Sequence, residues 1–477
     1  MENESNSSIC TSKRSIIARI WPLLVYQASC GFFIGAEFIN LIPLSRMIWP
    51  NDLYFHSIEM GGMITGRLWT DGIMAIVWGW LIDRFQRKKI IFRGSIFVGI
   101  FIFINMFAPI GGGTPNYWFW LINRICIGFF MSQGGPAIYS LGNDFLEKEE
   151  KSRFFGLLLI TFVIFQFTGM FVGALLFESG YWRVFLLISA GSYFLNATVI
   201  SRFIKEPKRG IREPKLSQIL STTDARYEYK LNRQTLKSTT FSKSNILVLL
   251  EGFSTNLIFG IIDLILLPFM QSEPHNIAPS TTALFQILFS VPGSIIGFIF
   301  LAKLSDRIGK KGLKNRVIMV LVSISTAVFT FLMIFSMPWP SLTPEEGANI
   351  GMIVQYPIFF FIGSMIFMNS AIIGLYALNQ GPIIQELNLP ESQGTIRGWN
   401  QFIEVASYGS GPLVGGILLQ FVGQNYQSTI QFVVLFTIPG ILLWVIVYFI
   451  IEKDHKRVQD LISSRAVEIK EKYHWNE

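Results

Sequence analysis

Gly79-Trp80-Leu81-Ile82-Asp83-Arg84, running on into Arg87-Lys88-Lys89, is a short charged phrase set between two long apolar segments. The chain repeats it: Ala302-Lys303-Leu304-Ser305-Asp306-Arg307 leads into Gly309-Lys310-Lys311, again between apolar segments. The two aspartates stand 223 positions apart, close to half of the 477 residues. A tight polar turn at matched points of two hydrophobic halves predicts a duplicated membrane protein.

Composition agrees. Only 15% of the residues are charged and 51% are hydrophobic, where soluble domains carry about 25% charged residues. Trp21–Leu44, Ile90–Ile110 and Phe432–Ile451 are each apolar over a length that crosses a hydrocarbon core about 30 Å thick. The first is too long for a signal-peptide core and no small-residue cleavage site follows it, so no removable leader is expected.

The formal charge of +8 is distributed rather than gathered. Of 39 Lys and Arg, 35 fall in the termini and in alternate inter-helix segments. The other four are Arg46 and Arg183 in the opposite loops and Arg67 and Arg124 within helices. This skew is the positive-inside pattern. It predicts an integral multi-pass protein of the cell membrane with both termini cytoplasmic and an even number of spans. It argues against nucleic-acid binding, which gathers bases on one folded face. Cys10, Cys30 and Cys126 are scattered and odd in number, so neither a disulfide framework nor a metal cluster is expected.

Twelve helices are expected, near 17–44, 60–82, 89–110, 116–143, 153–177, 181–204, 244–270, 279–302, 314–337, 349–380, 397–422 and 428–451. The fold expected is all-α, two pseudo-symmetric six-helix bundles at 17–204 and 244–451. A cytoplasmic tail (1–16), a polar basic linker (205–243) too poor in large apolar residues to bury a core, and a charged tail (452–477) complete the chain. A second repeat supports duplication: Gly169-Met170-Phe171-Val172-Gly173 in the fifth helix corresponds to Pro412-Leu413-Val414-Gly415-Gly416 in the eleventh. Small residues at such spacing let membrane helices approach closely.

These motifs resemble those of the major facilitator superfamily. Gly79, Asp83, Arg84, Arg87 and Lys88 are similar to its loop 2–3 signature, and Asp306, Arg307, Gly309 and Lys310 to its counterpart in loop 8–9. Arg124-Ile125-Cys126-Ile127-Gly128 resembles the family's fourth-helix Arg-x-x-x-Gly, and Tyr181-Trp182-Arg183-Val184-Phe185 the phrase opening its sixth helix. Gln86 and Ala302 depart from it, standing where glycine is usual. The fifth helix also lacks the Gly-Pro pair of drug antiporters, while Gly411-Pro412 lies in the eleventh. The resemblance implies a central cavity and alternating access. It also implies a conformational latch in the paired loops, with Asp83 meeting the eleventh helix near Gly394–Arg397 and Gly79 permitting close approach.

Ionisable residues at membrane depth are costly and normally face a cavity and pair. The first half carries Glu37, Arg67, Asp71 and Arg124; Arg67 and Asp71, spaced i, i+4, share one helix face. The second half carries only acids: Glu251, Asp263 and Glu404. Asp263, near the outer end of its helix, is expected to face water. Asn400, Gln401 and Glu404 occupy neighbouring turns and make the preferred solute-side cluster there, and Glu251 and Glu404 are candidate proton carriers. Arg124 is expected either to line the cavity or to form an ion pair with Glu37 or Asp71.

No phosphate loop, metal-spaced His/Cys group or nucleophile motif is recognisable, so no enzyme activity and no cofactor are expected. The function expected is secondary transport of a small organic solute, with protons as candidate coupling ion, by a monomer among membrane lipids. Arg67 and Arg124 lean the solute toward an anion or zwitterion. A lipid carrier or flippase on the same scaffold, or a transport-inactive sensor, are the alternatives.

Overall fold

The computed structural model describes residues 16–52, 54–145, 151–206, 239, 241–389 and 392–472. The linker region 207–238, Cys10 and most of the N-terminal tail lie outside the described residues. Every regular element among the described residues is helical. The long helices are α1 Ile16–Ile39, α2 Ser57–Arg84, α3 Arg87–Ile104, α4a Thr114–Met131, α4b Gly134–Phe145, α5 Lys151–Glu178 and α6 Trp182–Phe203. Then follow α7 Lys243–Gln271, α8 Pro279–Ile296, α9 Leu313–Ser336, α10a Pro357–Ile372, α10b Gly374–Glu386, α11 Gln393–Phe421, α12a Tyr426–Leu435 and α12b Thr437–Lys472. Local chemistry sets several starts. Proline opens α4a, α8 and α10a, where its missing N–H costs nothing. The Ser242 side chain accepts from Asn245 N at the head of α7.

Ten of these helical stretches are long and apolar enough to cross a membrane. The expected spans at 60–82 and 116–143 are not among them, for identifiable reasons. Helix α2 forms without a break but carries Glu59, Arg67, Asp71 and Arg84. The fourth helix is interrupted at Ser132-Gln133 between α4a and α4b.

By backbone proximity the chain divides into two compact units. The first is Met1–Pro50 with Gly66–Thr223, and the second is Asn51–Thr65 with Asp224–Glu477. Within the first unit α1 packs chiefly on α5, and α3 on α6; within the second, α7 packs on α11, and α9 on α12b. The pairings repeat, as the duplicated sequence predicts. The small residues sit at the crossings: a β-carbon at Gly169 of α5 would lie 1.9 Å from Phe32 O of α1. One at Gly411 of α11 would lie 2.6 Å from the Gly260 Cα of α7. The first two turns of α2 group with the second unit, where Ser57 Oγ donates to Gly416 O (2.8 Å) and Leu413 N donates to Thr65 Oγ1 (3.1 Å).

Candidate functional site

In the first unit three helices bring their buried charges to one carboxylate. Glu37 on α1 has a side chain 2% exposed, and Arg67 on α2 one 3% exposed. Arg67 grips it with two donors: Nη2 lies 2.8 Å from Oε2 and Nε 3.0 Å from Oε1. Arg124 on α4a donates through Nη1 to Glu37 Oε1 and lies 5.7 Å over the Phe33 ring. Paired, multiply hydrogen-bonded charge is the form in which a low-dielectric interior tolerates ions. Of the two partners expected for Arg124, the structure selects Glu37.

The spacing of the Arg-x-x-x-Gly phrase now has a cause. Gly128 lies one turn past Arg124, and a β-carbon there would stand 2.6 Å from Arg67 O. Bare backbone at 128 lets α4a approach α2 closely enough for both arginines to reach one carboxylate. Asp71, one turn beyond Arg67, is half-buried and within electrostatic reach of Arg67 and Glu37. The Nε of Arg124 is buried without an acceptor, so the clamp retains an unused donor.

Below this cluster the first loop phrase is built around an acid that sequence reasoning missed. Glu206, just past α6, straddles the start of α3: Lys88 N donates at 2.8 Å, Arg87 N at 3.2 Å and Arg87 Nε at 2.9 Å. Free N–H groups and the positive end of the dipole make a helix start receptive to a carboxylate. Arg87, 1% exposed, also donates through Nη1 to Ser140 O at 3.0 Å. Arg84 instead lies on the surface over the Trp80 ring, 3.9 Å from its centroid. At Gly79 nothing among the described residues stands within 4 Å of where a β-carbon would be. The side chains of Asp83, Asp306 and Arg397 lie outside the described residues.

The second copy is held differently. Arg307 and Lys310 are exposed, and Gly309 sits against the guanidinium of Arg316, 2.6 Å from a built β-carbon to Cζ. Arg316 Nη1 and Ser305 Oγ both donate to Asn379 Oδ1 of α10b, at 3.3 and 3.0 Å. The start of α9 carries an ion pair of its own, Lys314–Glu452 at 2.9 Å, with side chains 32% and 64% exposed.

The buried acid of the second unit is Glu251 on α7, fully buried. Among the described residues no cation pairs with it. Thr255 Oγ1 donates to its Oε1, and Tyr376 OH of α10b to its Oε2 at 3.2 Å. The fully buried indole of Trp444 faces the same carboxyl. Glu404 on α11 is within electrostatic reach and accepts from Asn400 Nδ2 at 2.7 Å. Asn400 and Glu404 therefore do come together, while Gln401 is exposed. Asp263 on α7 is exposed and accepts from Tyr408 OH at 2.7 Å.

Outside the membrane helices, His275 is packed between Phe269 and Trp339, with ring centroids 4.8 and 5.4 Å away. Its Nδ1–H donates to Pro340 O at 3.1 Å. Burial holds its pKa below the usual histidine value.

Two residues missed in the sequence reading had a signal there: Glu206 is a lone acid between Lys205 and Lys208 immediately after an apolar helix, and Tyr376 stands one turn before the polar pair Asn379-Gln380.

Comparison with known proteins places the geometry. The family model of the Major Facilitator Superfamily matches residues 28–404. A multi-drug resistance efflux pump PmrA homolog from Lactococcus lactis subsp. lactis (strain IL1403) is 23% identical over 434 residues, covering 88% of this chain and 92% of that protein. Among solved structures, a bacterial homolog of the human lysosomal transporter Spinster, inward-facing and unoccupied, is similar with a TM-score of 0.66 at 13% identity. That match covers 92% of this chain and 99% of the other. The nucleoside transporter NupG matches with a TM-score of 0.59 at 14% identity, over 93% and 100% of the two chains.

Proposed function

This chain belongs to the major facilitator superfamily and is an integral multi-pass membrane transporter, and we propose that it carries a small organic solute by alternating access with protons as coupling ion. The observation that carries the reading is the pair of buried carboxylates at Glu37 and Glu251, one in each of two similarly packed units. Charge kept at membrane depth is costly and is retained where solutes or protons pass. Within this reading the protein has twelve spans, lies in the cell membrane with both termini in the cytoplasm and works as a monomer. The loop residues Gly79, Asp83, Arg84, Arg87, Lys88, Asp306, Arg307, Gly309 and Lys310 serve as the latch of the cycle. Glu37, Arg67, Asp71 and Arg124 serve the first half of the transport path, and Glu251, Asn400, Gln401 and Glu404 the second. The spare donor on Arg124 favours an anionic or zwitterionic solute.

Uptake into proteoliposomes, with and without an imposed pH gradient, tests the proposal on a panel of organic anions, zwitterions and cations. Gradient-dependent accumulation that a protonophore abolishes is expected. Arg124→Gln, which leaves the Arg67–Glu37 pair intact, should reduce it by about tenfold or more, the equivalent of about 1.4 kcal/mol. Unchanged transport in that variant removes the arginine from the path, and accumulation indifferent to the gradient removes the proton.

A further inference from the structure

Two acids are buried at depth, and a proton-coupled reading alone does not say which one takes the proton. Glu37 is held by five-donor guanidinium groups from two sides. Protonating it would leave two arginines facing a neutral acid. Glu251 stands in the opposite condition. Its neighbours Thr255, Tyr376 and Trp444 are neutral, and it has no exposed surface.

A second observation lies one turn along α10b from Tyr376. Gln380 is 5% exposed, and its Nε2 is buried with no acceptor. That nitrogen is 3.3 Å from where a β-carbon of Gly252 would stand, and Tyr376 OH is 3.9 Å from the same point. Both polar tips of α10b therefore converge on the turn of α7 that carries Glu251, and the absence of a side chain at 252 keeps the amide against it. A buried N–H group without an acceptor is costly. A carboxylate one residue away offers it one, once charge develops there.

We infer that Glu251, with Thr255, Tyr376 and Gln380, forms a proton-binding site in the second unit, while Glu37 stays ionised between its arginines. With the proton bound, the carboxyl O–H donates to one of the two hydroxyls, of Thr255 or Tyr376, while the other still donates to the carbonyl oxygen. When the O–H bond breaks and the proton leaves, the negative charge draws in the free N–H of Gln380, which tightens α10b onto α7. The other titratable groups facing Glu251 are Tyr376 from α10b and Glu404 from α11; α9 and α12b present none among the described residues. The inference names the proton carrier within the transport reading, yet it is testable without any transported solute.

The experiment is infrared difference spectroscopy of the purified full-length protein, titrated from about pH 4 to about pH 10, a range spanning ordinary carboxyl and histidine ionisation. A C=O stretch of a buried protonated carboxyl that titrates is expected in the wild type and in Asp263→Asn, and is expected to vanish in Glu251→Gln. Persistence of the band in Glu251→Gln, or its absence from the wild type, overturns the assignment. Should Glu251→Gln fail to fold, Tyr376→Phe and Gln380→Leu decide. Each removes one donor and should move the midpoint by about half a pH unit or more; a midpoint unmoved in both overturns the site. A titrating band in a protein that transports nothing would refute the transport reading alone.

Discussion

The two halves of this molecule solve one problem in different ways. Each buries a carboxylate at the depth of the membrane. The first surrounds Glu37 with two arginines; the second surrounds Glu251 with hydroxyl and indole groups and, among the described residues, no cation. The contrast extends to the repeated loop phrase. At the start of α3 Arg87 is enclosed with Glu206, whereas at the start of α9 the ion pair Lys314–Glu452 lies at the surface. Duplication supplied the same helix pairings, but the first copy holds its buried charge in pairs and the second among neutral donors. The lesson is that backbone symmetry does not carry electrostatic symmetry with it.

The largest break of this contrast should come from Glu37→Gln. It removes the one anion that both arginines face and leaves two buried cations with half-used donors. Breaking a buried pair by deleting one partner costs about 3–5 kcal/mol, so thermal unfolding in detergent should shift strongly downward. The double variant Glu37→Gln with Arg124→Gln should recover part of the loss, because one stranded charge goes with it. A wild-type melting profile for Glu37→Gln would mean that the clamp does not hold α1, α2 and α4a together.

Next in size is Arg87→Ala. Its guanidinium is buried between Glu206 and Ser140, and its loss leaves a carboxylate with fewer partners at the start of α3. About 2–4 kcal/mol is expected, somewhat below the full cost of a broken buried pair because Glu206 is 23% exposed and retains the Lys88 and Arg87 backbone donors. Hydrogen exchange of the first turn of α3 would report it directly.

How much of this was legible beforehand follows from the range of the signal. The duplicated loop phrase, the glycine crossings and the charges inside apolar stretches are local features, and all of them could be read along the chain. Pairing is not local. That Glu37 rather than Asp71 takes both arginines depends on how closely α4a lies to α2, which rests on Gly128 standing against Arg67 O. Tyr376 and Trp444 look like ordinary aromatic residues of a chain with 14 tyrosines and 12 tryptophans, and only the packing of three helices gives them a carboxylate. The anchoring of the first two turns of α2 was equally hidden. Ser57 and Thr65 are unremarkable hydroxyls in sequence, yet they tie residues 51–65 to α11 through two hydrogen bonds.

Glu251→Gln sharpens the comparison from the other side. Glutamine has nearly the same shape and keeps a carbonyl to accept from one of Thr255 and Tyr376. No counter-charge is stranded. A net hydrogen bond is worth about 0.5–1.5 kcal/mol, so the stability change should stay near or below about 1 kcal/mol, several-fold less than for Glu37→Gln. An equal loss in both variants would erase the distinction between the halves.

His275 extends the second half's preference for neutral polar groups to the loop between α7 and α8. Burial depresses its folded-state pKa, whereas in the unfolded chain it titrates near 6.5. As pH falls below about 6.5, the unfolded state therefore takes up a proton that the folded state does not, and stability declines until the folded value is reached. Thermal unfolding followed from pH 8 downward should show this decline, and His275→Phe should flatten it. A histidine contribution of opposite sign would mean that the ring carries its charge between Phe269 and Trp339.

The smallest effect should come from Lys314→Ala. The pair with Glu452 is short, at 2.9 Å, but both side chains reach water, and exposed ion pairs lose in solvation and side-chain entropy nearly what they gain in attraction. No measurable shift in melting temperature is expected, and raising the salt concentration should leave wild type and variant alike. The start of α9 does not depend on this pair: Gly309 packs against Arg316, and Asn379 accepts from both Arg316 and Ser305. If Lys314→Ala nevertheless destabilised as much as Arg87→Ala, the two loop copies would be electrostatically equivalent. The difference between the halves would then be confined to Glu37 and Glu251.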